Sequence, residues 1–492
     1  MKEHKKVKPL SYRLKCGTTI IERDGSPALL LDYPLKVVVL KPYWNQVLNR
    51  LSTGDPVMLD QVAGLMGDDP IPLRRFLDRL VEGGFLEREG FVTPSEYPTV
   101  SIIIPVRNRP DEIRECLASL EAVAYPRDKM EVIVIDDAST DHTRDVIREF
   151  PVSLITQKQN RQAPYCRNMA AQQAKGDILA FIDSDCLATP EWLNELVPAF
   201  LDERIGAVGG KVDGFSMENL IDRYESTNSS LNMGNRIIRS QPQDRFFYVP
   251  SCNLLVRKAL FNELNGFNEA PIVGEDVDFC WRMQDGGSDL EYRPAGAIYH
   301  KHRNRLKPFC QRRFDYGTSE PLLQKKHRSR VKRFYFPVRA SVFGAVAGAA
   351  LGFMSLPLLL FSLLIPVVDA SSRKRVMKRQ GVTIGLTRML VSVCREYVSF
   401  FLSLCSFVSR YYLVAVFLIW SVFPSVVAFL LGVHLVVGIV DYWIKKPSLN
   451  PAGFLLCFTM EQLSYQAGVW WGCLKRHCYN PLIPHIVWQK PT

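Results

Sequence analysis

No pair of cysteine doublets with zinc-ligand spacing occurs in the 492 residues. The twelve cysteines are scattered, and Cys473 and Cys478 flank His477 with no second ligand pair nearby. That excludes a zinc ribbon or finger and fits thiols kept reduced. The amino terminus, Met1-Lys-Glu-His-Lys-Lys6, is basic but has no apolar run behind it. A signal peptide is therefore not expected, and the body of the chain is expected in the cytosol. Internal repeats and low-complexity tracts are also lacking. Apolar residues are plentiful at 47%, enough for a large core. The net charge of +11 is uneven: thirteen Lys/Arg against two acids between Lys301 and Arg339 account for all of it. One basic belt beside uncharged apolar segments points to an anionic membrane face rather than nucleic acid, with a solvated linker as the plainer reading.

Residues 1–96 form a first unit. Thr18-Thr-Ile-Ile-Glu-Arg23 and Ala28-Leu-Leu-Leu-Asp-Tyr33 read as strands joined at Asp24-Gly25, and Val37–Leu40 as a third strand. Asn45–Leu51, Leu59–Met66 and Leu73–Glu82 carry helical spacing, and Phe85–Phe91 reads as a wing. Three helices and a wing make a winged-helix-like pattern. Arg74, Arg75 and Arg79 on the third helix are balanced by acids, so DNA binding is not favoured.

Residues 97–310 alternate apolar strands (Val100–Ile104, Glu131–Ile135, Ser153–Thr156, Ile178–Ile182, Ala207–Gly210) with helices near Glu112–Leu120, Thr143–Phe150 and Cys166–Ala174. This is an α/β, Rossmann-like rhythm with a mostly parallel, doubly wound sheet. Ligands of such sheets sit outside the carboxyl ends of the strands, where Pro105, Asp136 and Asp183 fall. Residues 311–340 read as a basic linker, and 341–492 as membrane-associated helices. Ser341–Val368 and Tyr411–Val440 carry no charge, whereas Gly453–Leu474 is interrupted by Glu461, Gln462 and Gln466. Pro357 and Pro366 break the first stretch and Pro424 the second, and basic residues flank both ends of each. Hairpins returning to the cytoplasmic face of the cell membrane satisfy that distribution, and true spans are the alternative.

Several short motifs carry chemistry. Asp183-Ser-Asp185 follows an apolar strand, and its carboxylates can hold Mg²⁺ or Mn²⁺ against a diphosphate. Asp185 is the expected direct ligand, with Asp183 nearer the ribose or the metal. His300 can add a third ligand or be a histidine in a basic loop. Asp136-Asp137 ends a strand, where a carboxylate can accept a uracil N–H or cap the next helix. Pro105, Arg107 and Asn108 can line the base and ribose. Arg167 can meet the base or diphosphate. In Gly274-Glu275-Asp276 the Asp can accept a proton from an attacking hydroxyl, with Glu275 orienting the acceptor, or the pair can open a helix. Gln311-Arg312-Arg313-Phe314 has neither the spacing nor the Trp of the Gln-x-x-Arg-Trp element of processive synthases.

With Ser101–Pro105, Asp136–Asp141, Arg167-Asn168, Asp183–Asp185, Asn253–Lys258, Gly266-Phe267 and Gly274–Arg282, the chain resembles the family 2 glycosyltransferases. The resemblance implies an inverting, metal-dependent hexosyltransferase using a UDP-sugar. Gln162 stands where a Gly is usual, which puts close approach of that loop to the diphosphate in question. Through Leu40–Leu48, Leu51–Gly54 and Leu80–Leu86, the first unit resembles the peptide-chaperone domain of the pyrroloquinoline-quinone system. Taken whole, the chain is similar to the glycosyltransferases of mycofactocin systems. That similarity implies UDP-glucose as donor, the peptide-derived cofactor mycofactocin or its precursor as acceptor, and a β-1,4-linked product. A cell-envelope glycosyltransferase with a lipid-linked or polysaccharide acceptor is one rival, and a catalytically silent peptide- and membrane-binding scaffold is another.

Overall fold

The computed structural model describes residues 10–23, 25–58, 70–90, 96–240, 246–270, 273–302, 304–379 and 381–489. They form two compact units, neither continuous in sequence. One comprises Met1–Val92, Val331–Val408 and Ile483–Thr492, and the other Thr93–Arg330 and Ser409–Leu482. The chain therefore does not divide into the successive blocks expected from its sequence.

In the second unit an eight-stranded sheet runs β6-β8-β5-β7-β4-β1-β2-β3. Its strands are β1 (Val100–Val106), β2 (Met130–Asp136), β3 (Ser153–Thr156), β4 (Ile178–Ile182), β5 (Ile205–Gly209), β6 (Ile238–Arg239), β7 (Asn253–Arg257) and β8 (Asp289–Tyr292). The half built from β4, β1, β2 and β3 is parallel, as the Val/Ile runs and intervening helices predict. Ile102 and Ile104 enter one core and Ile103 the other, so both faces are covered. The other half is mixed, because β7 runs antiparallel to both β4 and β5. Its reversed direction brings the residues just before Asn253 to the carboxyl edge of β1 and β4.

Helices α1 (Pro110–Glu121), α2 (Thr143–Arg148) and α3 (Gln162–Gln173) separate the first four strands. The third starts earlier than its periodicity suggests, so Arg167 and Asn168 lie inside it, not at its start. Further on come α4 (Glu275–Asp285), α5 (Leu306–Lys326) and α6 (Pro451–Arg476). Most of the expected basic linker is thus α5 and a strand, Arg333–Pro337. Several cations of the belt are committed to acids. Arg313 pairs with Glu225 at 2.5 Å and Glu461 at 3.2 Å, Lys326 with Asp278 at 2.7 Å, and Arg330 with Asp285 at 2.6 Å. Charge counting along the sequence cannot see these remote partners.

Helix α6 packs along α5 at glycine contacts. A Cβ at Gly317 would collide with the Tyr465 carbonyl, and one at Gly468 with that of Phe314. The polar residues that interrupt this apolar stretch face inward. Glu461, Gln462 and Gln466 are all buried, and Tyr224 donates to Glu461 at 2.5 Å.

In the first unit, Thr18–Arg23, Ser26–Leu31 and Lys36–Val39 form an antiparallel meander. Ser11–Leu14 pairs with Val57–Met58 and with Leu86–Glu89. The expected wing is therefore an edge strand of this second small sheet. Helices Asn45–Leu51 and Pro70–Glu82 pack here, and Trp44 stacks on Phe76 with centroids 3.4 Å apart. The expected helix Leu59–Met66 and Asp24 of the turn lie outside the described residues. The meander's other face meets the later helices, where Leu30, Ile21 and Val37 join Ala340, Ala370, Met389 and Phe400 in one core.

Among the described residues, three helices are long and apolar enough to cross a membrane: Leu356–Arg379, Leu386–Ala415 and Pro424–Lys445. The stretch Ser341–Val368 is broken after Gly352, where Phe353 and Met354 are 81% and 93% exposed. The stretch Tyr411–Val440 is interrupted just before Pro424, which opens a new helix, in keeping with a residue that lacks an N–H to donate.

Candidate active site

The carboxyl ends of β1, β2 and β4 converge with the start of α4. Asp183, Ser184 and Asp185 follow β4 directly. A small sheet of Cys186–Ala188, Val212–Gly214 and Ile298–His300 lies beside them. Cys186 faces His300 in its register, and Lys301 N–H bonds the Asp185 carbonyl at 2.9 Å. That pairing brings His300 Nε2 to 3.6 Å from Asp185 Oδ1. Burial alone would raise the Asp185 pKa, but the His300 ring and the Arg109 guanidinium outweigh it and hold the carboxyl below its usual range.

Asp185, His300 and Cys186 could together hold a metal ion. The donor chemistry fits a hard divalent cation on the first two. Burial pushes the Cys186 thiol well up, so it stays protonated and is a poor partner for such an ion. Arg109, at the start of α1, makes an ion pair with Asp185 and supplies the positive charge there. Arg109 follows Arg107 and Asn108, the residues of this loop with sequence-based expectations. Its signal was the position immediately before Pro110, where the first turn of a helix fixes its direction.

Arg167 is almost completely buried and bridges Asp183 at 2.5 Å and Glu275 at 3.2 Å. Burial opposes its charge, and the two carboxylates outweigh that and raise its pKa. One guanidinium thus ties the end of β4 to the start of α4. Its partner there, Glu275, also accepts from Gly274 N–H at 3.2 Å. Gly274 has φ of 103°, a conformation that side chains resist, so a glycine at this helix start is a backbone requirement.

Asp276 accepts from Val277 N–H at 2.8 Å and Ser251 N–H at 3.3 Å. Ser251 is brought there by the reversed strand β7. Burial and then the neighbouring Glu275 charge raise the Asp276 carboxyl to about 7. A carboxyl titrating near neutrality, beside a carboxylate held by arginine, is suited to accept a proton from an incoming hydroxyl.

Asp136 ends β2 and Asp137 follows it. Asp136 is fully buried, accepts from Ser139 N–H at 3.2 Å and pairs with Arg144 Nε at 2.6 Å. Asp137 accepts from Arg161 N–H at 2.7 Å and Gln162 N–H at 2.9 Å. Through these bonds Asp136, which has no exposed surface, anchors the turn into α2. Gln162 adopts φ of 70°, the left-handed backbone that explains why a glycine would suit the position. Pro105 is half-buried at the end of β1, and Arg107 and Asn108 are exposed. Asn108 accepts from Thr140 N–H at 2.8 Å and donates its own N–H to Ser139 Oγ at 2.9 Å, which joins the β1 and β2 loops.

A sequence profile of glycosyl transferase family 2 matches residues 101–264. The chain is 26% identical over 399 residues to the pre-mycofactocin glycosyltransferase of Mycobacterium tuberculosis, covering 79% of this chain and 82% of that one. It is 32% identical over 225 residues to glycosyltransferase AglE of Haloferax volcanii, 42% of this chain and 71% of that one. Among solved structures, the S. aureus TarS 1–349 crystal structure shares 23% identity at a TM-score of 0.36, over 46% of this chain and 64% of that one.

Proposed function

Because the chain belongs to glycosyl transferase family 2, we propose that its second unit moves a hexose from a UDP-sugar, with inversion, onto a peptide-derived acceptor. The proposed donor is UDP-glucose. The proposed acceptor is mycofactocin or its precursor, extended as a β-1,4-linked chain. The observation that carries the reading is the pairing of two sites around one set of strand ends. Asp185 with His300 offers a carboxylate oxygen and an imidazole nitrogen to a divalent cation, and Asp276 offers a carboxyl near 7. Support for the acceptor is the similarity to the pre-mycofactocin enzyme over 79% of the chain, more than a catalytic domain alone.

A divalent cation, Mg²⁺ or Mn²⁺, would be held by Asp185 and His300, with Asp183 beside them, and would offset charge on the leaving diphosphate. Asp276 takes the proton of the acceptor hydroxyl as its oxygen attacks the anomeric carbon. The bond to UDP breaks on the opposite face, UDP leaves with the electron pair, and one displacement inverts the centre. Arg167 holds Asp183 and Glu275 in place through the step. Asn108 and Arg107 line the nucleotide. The first unit binds precursor peptide at a free sheet edge, since Lys36–Val39 pairs on one side only among the described residues.

The assay is sugar transfer by the full-length protein in detergent, with UDP-glucose, Mn²⁺ and the purified precursor. Transfer that is abolished by chelator and restored by Mn²⁺ supports the reading. Transfer at full rate in excess chelator, or none to this acceptor, overturns it.

The exposed apolar helices support membrane association, and the cytoplasmic face is proposed from the basic residues that flank both apolar stretches. Hairpins are proposed, with the exposed Phe353-Met354 turn entering the acyl region.

A further inference from the structure

A cavity of about 680 Å³ lies within the first unit, in the size range of ligand sites. One wall is helix Leu386–Tyr412, from Met389 to Ser403. That stretch is about 21 Å at 1.5 Å per residue, the span of about six residues of extended chain. Ser392, Glu396, Ser399 and Ser403 follow at helical intervals, so one side of a largely apolar helix turns hydroxyls and a carboxylate to the cavity. Glu396 is answered by Arg373 at 2.6 Å, and the Ser403 hydroxyl by the Ser399 carbonyl at 2.8 Å. The hydroxyls of Ser392 and Ser399 have no hydrogen-bond partner among the described residues.

Strand Arg333–Pro337 forms a second wall and Tyr33-Pro34-Leu35 a third. The strand has one neighbour, His485–Gln489, in parallel register. The Lys332 carbonyl accepts from His485 N–H at 2.7 Å. In a parallel ladder every second residue turns its backbone groups to the partner. Lys332, Phe334 and Phe336 therefore face the neighbour, and Arg333 and Tyr335 face away. Among the described residues nothing bonds the N–H or C=O of Arg333 or Tyr335. The neighbour reaches the cavity only at Gln489, so the cavity lies along the strand's unpaired side. Parallel sheets are ordinarily broad, and two strands alone form a marginal one.

Phe334 and Phe400, with ring centroids 6.4 Å apart, give the cavity apolar surface. A lipid chain would cover those rings but would leave the alternating donors and acceptors of the strand unanswered. An extended peptide answers both, by adding a strand and lodging side chains against the rings. The charge of the site has a sign as well. Arg373 is matched by Glu396, whereas Arg333 is exposed and Arg395 only stacks on the Tyr33 ring at 5.4 Å. Neither of these two has a carboxylate partner among the described residues. Two such cations favour carboxylates on the incoming chain.

We propose that this cavity is a peptide groove, in which an extended segment bearing carboxylates adds to Arg333–Pro337 as a third strand and sets alternate side chains against Phe334 and Phe400. The groove is separate from the Lys36–Val39 edge and from the transferase site, and it stands or falls without either.

The test uses the full-length protein, immobilised in detergent, and a pool of synthetic heptapeptides in which apolar and polar residues alternate. Half of the pool ends in glutamates and half in lysines, and mass spectrometry reads what is retained. Tyr335→Pro removes the outward N–H and leaves the bonds to His485–Gln489 in place. The wild type is expected to retain glutamate-ended members about fivefold or more above Tyr335→Pro, the worth of one hydrogen bond or more. Tyr335→Ala removes the ring but keeps the N–H, and should retain them better than Tyr335→Pro. Ser399→Trp fills the cavity and should abolish retention. Methylating alternate peptide nitrogens of the retained members should lower their retention by the wild type about fivefold, which tests the added strand even where a variant does not fold. Retention that survives this methylation overturns the proposal, as does equal retention by the wild type and a folded Tyr335→Pro. Absence of any retained member, or equal retention of the lysine-ended half, also overturns it. Displacement of retained peptides by about one equivalent of dioctanoyl phosphatidylglycerol would make the groove a lipid site instead.

Discussion

Burial and the adjacent Glu275 place the Asp276 carboxyl at about 7, so the fraction of competent base changes most steeply around neutrality. Transfer should rise with pH through about 7 and level off above it. Asp276→Asn keeps the shape and removes the basic oxygen, and should lower transfer by about a hundredfold while UDP binding persists. Loss of UDP binding in a calorimetric titration would assign Asp276 to the donor instead. The same shift has a sign for stability. The folded pKa lies above the unfolded one, so charging Asp276 opposes folding increasingly as pH rises from about 4 to about 7. Asp276→Asn should therefore raise the melting temperature at pH about 8 more than at pH about 5. A larger gain at the acid end would contradict the shift. Asp185→Ala removes the carboxylate that faces both His300 and Arg109, and should abolish transfer and UDP-sugar hydrolysis together. Retention of either activity in a folded variant would show that the ligand lies elsewhere.

Elements show where sequence was enough and where it was not. Strands Val100–Val106 and Met130–Asp136 were legible because β-branched runs bounded by turn residues leave few alternatives. Asp183, Asp185, Glu275 and Asp276 were legible because each stands at the end or start of such an element. Arg109 was not, because its role depends on a partner 76 residues away, with only its place before Pro110 to mark it. The polar residues that interrupt Gly453–Leu474 have a reason that local sequence does not show: α6 turns Glu461 and Gln466 inward, and Tyr224 donates to Glu461. Placing Val at Gly468 should split this helix pair, since the added carbons meet the Phe314 backbone, which cannot swing aside. The expected cost is about 3 kcal/mol or more by analogy with overpacked cores, read as a lower melting temperature. A variant as stable as the parent would mean the helices do not meet there.

For the molecule as a whole, the interleaved chain predicts that residues 1–95 do not behave as a free module. Leu30, Ile21 and Val37 of the meander are covered by Ala340, Ala370 and Phe400. Expressed alone, that segment should aggregate, whereas a soluble, cooperatively folding fragment would argue against the shared core. Apolar burial is not screened by salt, so the full protein should stay with membranes in high salt and leave them in detergent. Release by salt alone would leave only the basic belt to account for binding. The central claim is that this transferase builds a sugar chain on a peptide-derived cofactor. Mass spectrometry of the mycofactocin pool in cells lacking the gene tests it most directly. The prediction is loss of the whole ladder of hexose-bearing forms and accumulation of the sugar-free precursor, reversed by the wild-type gene but not by Asp276→Asn. An unchanged ladder in the deletion strain would contradict it.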